Sequence, residues 1–276
     1  MTALLEVREL SRSFGGIRAV DSLSFDAPRG GITGLIGPNG AGKTTVFNLI
    51  TGVYLPDKPP AAGAASSGTV RLNGEILVGK RPHEIVRAGV SRTFQNIRLF
   101  NRMTCLENVM TPLLVRGGSG PLAAIFRTKT AREEGASARE TALSILSDMG
   151  LAEAAGRAAS TLPYGLQRKL EIARALACMP PIGSVSKSKL SRLLLLDEPA
   201  AGMNDSETRE LGETILKVRK DFDVTILLIE HHISLVMEIC THIVVMDRGA
   251  LLAEGTPQAI RNDGRVVAAY LGRRRA

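Results

Sequence analysis

The chain has 276 residues, of which 44% are hydrophobic, so it is long enough to bury a core in one large domain or two small ones. Its net charge of +8 would suit nucleic acid, an anionic membrane surface or phosphate ligands. We favour a solvated basic surface, because the basic residues are scattered and aromatic residues, at 4%, supply no stacking platform for single strands.

Membrane-spanning and disulfide-rich classes are also disfavoured. No apolar run approaches the roughly 18–20 residues that cross a bilayer, and the first ten residues, MTALLEVREL, meet charge too early for a signal peptide. Cys105, Cys178 and Cys240 lie far apart without the paired spacing of a zinc site or disulfide framework. We therefore expect a cytosolic protein with reduced cysteines.

The N-terminal part of the chain predicts strands followed by a glycine-rich loop. LLEVREL and DSLSFDAP alternate in polarity, as strands of an antiparallel edge do. GITGLIG predicts a buried strand that runs into GPNGAGKTT and then into the start of a helix, TTVFNLI. The segment 55–68 is rich in proline and alanine, which indicates a loop, and TVRLNG returns to strand.

The C-terminal part alternates helices with buried strands. Residues 103–177 are helical in pattern, with a flexible RGGSGP at 116–121, and they predict an inserted subdomain. LLLLDEP and TILLIEH predict core strands with a helix from about Asn204 to Lys220 between them. HIVVMDRGALLAEG predicts a hairpin that turns at Arg248 and Gly249. Strands with helices between them imply an α/β fold.

The glycine-rich stretch fits a phosphate-binding loop. Gly37, four residues, then Gly42, Lys43 and Thr44 match the spacing of that motif, between a strand and a helix. Its backbone N–H groups would turn toward phosphates, Lys43 would reach the β and γ phosphates, and the Thr44 hydroxyl would bind Mg²⁺. The predicted nucleotide-binding residues here are Gly37, Pro38, Asn39, Gly40, Ala41, Gly42, Lys43, Thr44 and Thr45.

Two further strands end in candidate catalytic groups. LLLLDEP would present Asp197 to the metal and Glu198 beside the γ phosphate, where it can act as general base for the attacking water. By itself, an Asp-Glu pair after a strand is weak evidence for a catalytic site. In a chain that also has a phosphate loop, it becomes strong evidence. His231 ends TILLIEH, one strand further on, and we predict that it senses the γ phosphate.

The order of these motifs resembles the ATP-binding subunit of an ABC transporter. GPNGAGKTT, FQNIRLF, a signature-like helix, LLLLDEP and LLIEH follow one another as in that family. The resemblance implies a P-loop NTPase core of the ABC ATPase type with an antiparallel β edge and an inserted α-helical subdomain. Residues 4–272 would form a single domain: the core 4–98 and 192–256, the helical subdomain 99–177, and C-terminal helices 257–272.

The family pattern also implies roles for residues outside the phosphate loop. Gln95 would be a catalytic residue that binds Mg²⁺ and links it to the transmembrane partner, and Phe14 would stack under the adenine. Residues 201–204 would form the D-loop, ending in Asn204.

The signature motif of this chain departs from the family pattern. A serine and two glycines would bind the ATP held on the opposite subunit, whereas this chain has Pro163, Tyr164 and Gly165. Pro163 removes a hydroxyl and a backbone N–H, while the helix predicted from Leu166 to Ala177 keeps its N-terminal dipole. We expect a clamp with fewer donors and prefer it over a dead site.

Within the family, the chain resembles the first ATPase of branched-chain amino acid importers. The resemblance lies in the strings RTFQNIRLF, DEPAAGMN, LLIEHHISLVM, AEGTPQAI and YLG. The resemblance implies an ATPase that dimerises around two ATP on the cytoplasmic face of the inner membrane. It would work with permease subunits, a second ATPase subunit and a periplasmic or extracellular substrate-binding protein, and without nucleic acid. The loops 55–68 and 178–191 are longer than the family usually has.

Three alternatives stay open at this point. Urea, amide and lipopolysaccharide ATPases share the same strings, so the chain could serve a sister transporter. A soluble ABC ATPase acting on nucleic acid or ribosomes is disfavoured. Such proteins resemble fused domain pairs or carry long coiled coils, whereas this sequence predicts one domain and has no heptads. A non-hydrolysing subunit is suggested only by Pro163.

Overall fold

The computed structural model describes residues 2–57, 68–116, 128–180 and 191–271. Most of the two predicted long loops, at 58–67 and 181–190, lies outside the described residues, as does most of the RGGSGP segment. No helix in the described ranges is long and apolar enough to cross a membrane.

Within these ranges the strands form a six-stranded and a four-stranded sheet. The first has the order β10-β9-β3-β8-β7-β6 and the second the order β2-β1-β4-β5. The strands are β1 (Ala3–Phe14), β2 (Ile17–Pro28), β3 (Ile32–Ile36), β4 (Thr69–Leu72), β5 (Glu75–Ile76), β6 (Val90–Arg92), β7 (Leu193–Asp197), β8 (Thr225–Ile229), β9 (His242–Asp247) and β10 (Ala250–Gly255).

The centre of the larger sheet is parallel and buried on both faces. β7 pairs with β8 so that Leu195 lies opposite Leu227, and β3 lies on the other side of β8. Along β7, Leu194 and Leu196 pack into one hydrophobic cluster while Leu193 and Leu195 pack into the other. This two-sided burial is why LLLLD has no polar alternation.

Antiparallel pairing occurs where the sequence predicted it. β1 pairs with β2 and with β4 in the smaller sheet. β9 and β10 form the predicted hairpin, in which Arg248 and Gly249 both have positive φ, at 48° and 86°. These findings confirm the α/β fold and its antiparallel edge. The domain boundaries within residues 4–272 stay a prediction.

Helices connect the strands, and two of them carry site residues. We call Lys43–Ile50 the phosphate-loop helix and Tyr164–Ala177 the signature helix. The remaining α-helices of the described ranges are Pro82–Arg87, Cys105–Arg116, Lys129–Asp148, Asp205–Asp221, Ile233–Ile239, Pro257–Arg261 and Gly264–Leu271. Ala152–Ala154 and Ala159–Thr161 are 3₁₀ turns.

Two helices begin at other residues than the sequence pattern indicated. The signature helix starts at Tyr164, with Pro163 as its N-cap, two residues before the predicted Leu166. Proline with φ of −54° suits this position because it is preorganised for a helix start and its missing N–H would lack a helical partner. Asn204 lies outside the next helix as its N-cap and accepts hydrogen bonds from the N–H groups of Ser206 and Glu207.

Glycines allow the phosphate loop to pack against neighbouring backbone. A Cβ built on Gly42, whose φ is 99°, would lie 2.2 Å from the carbonyl oxygen of Ala19. Gly40, whose φ is 79°, has the same left-handed conformation but nothing within 4 Å. The two positions therefore share the conformational requirement, and only Gly42 has the steric one.

We expect Gly42→Ala to destabilise the chain more than Gly40→Ala. Both substitutions impose left-handed strain of about 1–2 kcal/mol. Gly42→Ala adds overpacking against the Ala19 carbonyl, which costs about 1–3 kcal/mol more. Urea unfolding of both variants measures the difference, and equal losses would show that the loop does not pack against Ala19 as described.

Candidate active site

The candidate groups meet because four parallel strands end at one edge of the larger sheet. The phosphate loop follows β3, Gln95 follows β6, Glu198 follows β7 and His231 follows β8. Neighbouring parallel strands point the same way, so residues beyond their carboxyl ends share this edge. A cleft of about 760 Å³ opens here. Its described lining residues are Ala19, Asn39, Gly40, Ala41, Gly42, Lys43, Thr44, Thr45, Gln95, Glu198 and His231.

Lys43 is held inside the phosphate loop. Its Nζ donates to the carbonyl oxygens of Gly37 and Pro38, at 2.8 and 3.0 Å. The side chain is buried, yet it also lines the cleft. Gly37 and Pro38 are thus placed as supports for the lysine, whereas the other predicted loop residues line the cleft themselves. Such a fixed cation beside helical N–H groups suits bound phosphates.

Glu198 joins the other two predicted catalytic residues. Its Oε2 accepts a hydrogen bond from Gln95 Nε2 at 2.9 Å, and its Oε1 lies 2.9 Å from His231 Nε2. The structure therefore brings together three residues that are far apart in sequence. Glu198 has φ of 48°, which is unusual for a residue other than glycine and stores roughly 1–3 kcal/mol of strain.

Asp197, the predicted metal ligand, is paired with an arginine that the sequence analysis missed. Arg92 Nη2 donates to Asp197 Oδ2 at 2.7 Å, and Arg92 Nη1 donates to Asn48 of the phosphate-loop helix, also at 2.7 Å. Burial raises the pKa of Asp197, and the Arg92 hydrogen bond opposes that shift. Asp197 is not among the described residues that line the cleft, whereas Thr44 and Gln95 are. All three offer oxygen ligands of the kind that Mg²⁺ prefers.

Phe14 lies beyond the described lining of the cleft. Its ring is 39% exposed at the end of β1 and contacts Tyr54 edge to face, with a centroid separation of 5.2 Å. The Arg12 guanidinium lies 4.9 Å from its centroid. An exposed aromatic face at the sheet edge is compatible with base stacking, and its role toward adenine stays a prediction.

The signature residues do not contact the cleft of their own chain. None of residues 163–165 is among its described lining residues. Pro163 and Tyr164 are exposed, and a Cβ on Gly165 would meet nothing within 4 Å. The Tyr164 hydroxyl instead donates to the carbonyl oxygen of Ala201, at the start of the predicted D-loop, at 3.0 Å. The exposed surface of Pro163 and Tyr164 therefore lies outside the described lining of that cleft.

Behind Tyr164 lies a buried ion pair that the sequence did not reveal. Arg168 and Glu171 are each 2% exposed and lie 3.1 Å apart. Arg168 also donates to the Tyr164 hydroxyl and to the carbonyl oxygens of Phe94 and Gln95. It therefore ties the signature helix to the segment that carries Gln95. Burial raises the pKa of Glu171, and N–H donors and Arg168 oppose that shift.

Comparison with known families supports the interpretation of the motifs. The family described as "ABC transporter" matches residues 20–201. The family described as "Branched-chain amino acid ATP-binding cassette transporter" matches residues 250–276.

Named relatives extend the similarity over nearly the whole chain. The high-affinity branched-chain amino acid transport ATP-binding protein BraF of Pseudomonas aeruginosa is 45% identical, with 98% of each chain covered. The corresponding protein LivG of Escherichia coli is 43% identical with the same coverage. A crystal structure of the ADP conformation of an ATP-binding cassette of an ABC transporter aligns with a TM-score of 0.79 and 29% identity, over 99% of this chain and 100% of that one.

Arg168→Met should lower the free energy of unfolding by about 3–5 kcal/mol, because it leaves a buried carboxylate at Glu171 without its charged partner. Lys169→Met, one residue further on, breaks only the ion pair with the exposed Glu210 and should cost less than about 1 kcal/mol. Urea unfolding of the two variants provides the comparison. Similar losses in the free energy of unfolding at both positions would show that the pair of Arg168 and Glu171 stabilises the chain no more than an exposed pair does.

Proposed function

Because the chain belongs to the ATP-binding proteins of ABC transporters, in the branch of the branched-chain amino acid transport proteins, we propose that it powers uptake of leucine, isoleucine or valine by hydrolysing ATP. The membership makes it an ATPase subunit. The amino acid substrate is supported by the printed names of relatives 43–45% identical over the length of the chain.

The observation that carries hydrolysis is the placement of Glu198. Its carboxylate reaches the cleft with one oxygen bonded to Gln95 and the other beside His231. A carboxylate fixed at both oxygens is oriented to accept a proton from a water that attacks the γ phosphate. Lys43 holds the phosphates, and His231 and Gln95 orient the base while the reaction proceeds.

Magnesium fits the donors at this edge of the sheet. Thr44 and Gln95, both at the cleft, and Asp197 would hold the ion, which neutralises charge on the β and γ phosphates when it is bound. Burial raises the pKa of Asp197, and the Arg92 hydrogen bond opposes that shift and so favours the charged form that a metal ligand needs. Phe14 completes the nucleotide site as the base-stacking group.

The exposed signature residues suit contact with a second ATPase subunit. Pro163 and Tyr164 are exposed, and none of residues 163–165 is among the described residues that line their own cleft, so Pro163, Tyr164 and Gly165 would act on the ATP of a partner subunit. Asn204, the N-cap beyond the D-loop, would lie at the same interface. Membrane permease subunits and a substrate-binding protein complete the transporter, and this subunit would sit on the cytoplasmic face of the membrane.

We expect Glu198→Gln to bind ATP with unchanged affinity and to lose turnover by about 100-fold or more, because the amide keeps the shape but cannot accept the proton. ATP-dependent dimers should accumulate in gel filtration. The matched control is Glu213→Gln, an exposed carboxylate on the helix Asp205–Asp221 that is not among the described residues lining the cleft. Normal turnover of Glu198→Gln would rule out the base assignment.

The substrate is tested in cells that lack this protein. Uptake of leucine, isoleucine and valine at low external concentration should be lost and should return with the wild-type chain but not with Lys43→Ala. Undiminished uptake of all three, with loss of urea or amide uptake, would assign the chain to a sister transporter.

A further inference from the structure

Glu230 is a buried carboxylate that none of the roles above uses. It follows the last residue of β8 and precedes His231, and it is 1% exposed. It is not among the described residues that line the cleft. A charged side chain buried so completely is stable only where hydrogen bonds replace its contact with water.

Backbone N–H groups from two separate segments provide those hydrogen bonds. Glu230 Oε1 accepts from the N–H of Ala200 at 2.7 Å. Glu230 Oε2 accepts from the N–H of His231 at 2.8 Å and of His232 at 3.2 Å. His232 Nδ1 also lies 3.2 Å from Oε2. One carboxylate thus bridges the turn after Glu198 and the segment that carries His231.

The turn after Glu198 needs such support. Glu198 adopts a left-handed conformation, with φ of 48°, and the N–H of Ala201 closes the turn on the Glu198 carbonyl oxygen at 3.1 Å. Strained residues of this kind persist when surrounding contacts fix them. The N–H of Ala200 lies inside this turn and donates to Glu230, which also accepts a hydrogen bond from the N–H of His231. Glu230 therefore both holds the turn and fixes the distance between the turn and His231.

We infer that Glu230 is a positioning residue for ATP hydrolysis: it fixes the turn of Glu198 against the backbone of His231 and so sets the 2.9 Å contact between those two side chains. This inference rests on the proposed roles of Glu198 and His231. Glu230 is not among the described residues that line the cleft, so it acts through Glu198 and His231, which are.

Glu230→Gln tests this role with nearly unchanged shape. An amide accepts hydrogen bonds at one atom only, so its NH₂ group must face either the Ala200 N–H or the histidine N–H groups. We expect kcat for ATP to fall by about tenfold or more. KM and ATP affinity should change by less than about twofold, because the phosphate loop is untouched. Glu238→Gln, on the exposed side of the following helix, is the matched control and should behave as wild type.

Coupling to His231 separates positioning from general stability. In a His231→Ala background, Glu230→Gln should lower the residual rate by less than about twofold, since the contact it sets is already gone. If Glu230→Gln lowers kcat by the same factor with and without His231→Ala, the inference is overturned. It is also overturned if Glu230→Gln lowers ATP affinity as much as kcat. Glu230→Asp keeps the charge but is shorter, and serves if the glutamine variant does not fold; it should show the same loss of kcat with KM retained.

Measuring Glu198→Gln alongside distinguishes failure of the positioning role of Glu230 from failure of the proposed base role of Glu198. If Glu198→Gln stops turnover and Glu230→Gln does not lower kcat, only the positioning role is wrong. If Glu198→Gln hydrolyses ATP normally, the proposed base is wrong, and with it the role of Glu230.

Discussion

Parallel pairing of β6, β7, β8 and β3 determines where every candidate catalytic group lies. β3, β7 and β8 are buried along their whole length, so they pair inside the sheet with helices and the smaller sheet covering both faces, and the short β6 pairs with β7. Their carboxyl ends then share one edge, and the polar residues that follow each strand meet there. A change of strand order would separate Gln95, Glu198 and His231 without altering any motif.

The charged residues around this edge divide into groups that face the cleft and groups that hold the backbone behind it. Lys43, Glu198 and His231 line the cleft. Arg92, Arg168 and Glu230 are bonded to backbone or to other charged side chains nearby. Buried polar groups without partners would be costly, so these hydrogen bonds both stabilise the chain and fix the geometry of the cleft.

The connections of Tyr164 give its departure from the family pattern a structural context. Its hydroxyl contacts Ala201, the first residue of the predicted D-loop, and Arg168, which also contacts the backbone of Gln95. The tyrosine therefore links three motifs within one subunit, which a glycine could not do.

The sequence by itself determined whatever depends on neighbouring residues. Local spacing and polarity predict the phosphate loop, a buried strand ending at Asp197, a second buried strand shortly before His231, the β hairpin at Arg248 and the α/β class, and the structure has them. Helix starts were misplaced by one or two residues, because capping by Pro163 and Asn204 decides them.

The tertiary structure alone decided which charges pair. Arg92 and Asp197 are 105 positions apart, and Glu230 reaches Ala200 across two adjacent strands. No local pattern encodes such pairs, because they depend on strand order and on the burial that forces each charge to find a partner.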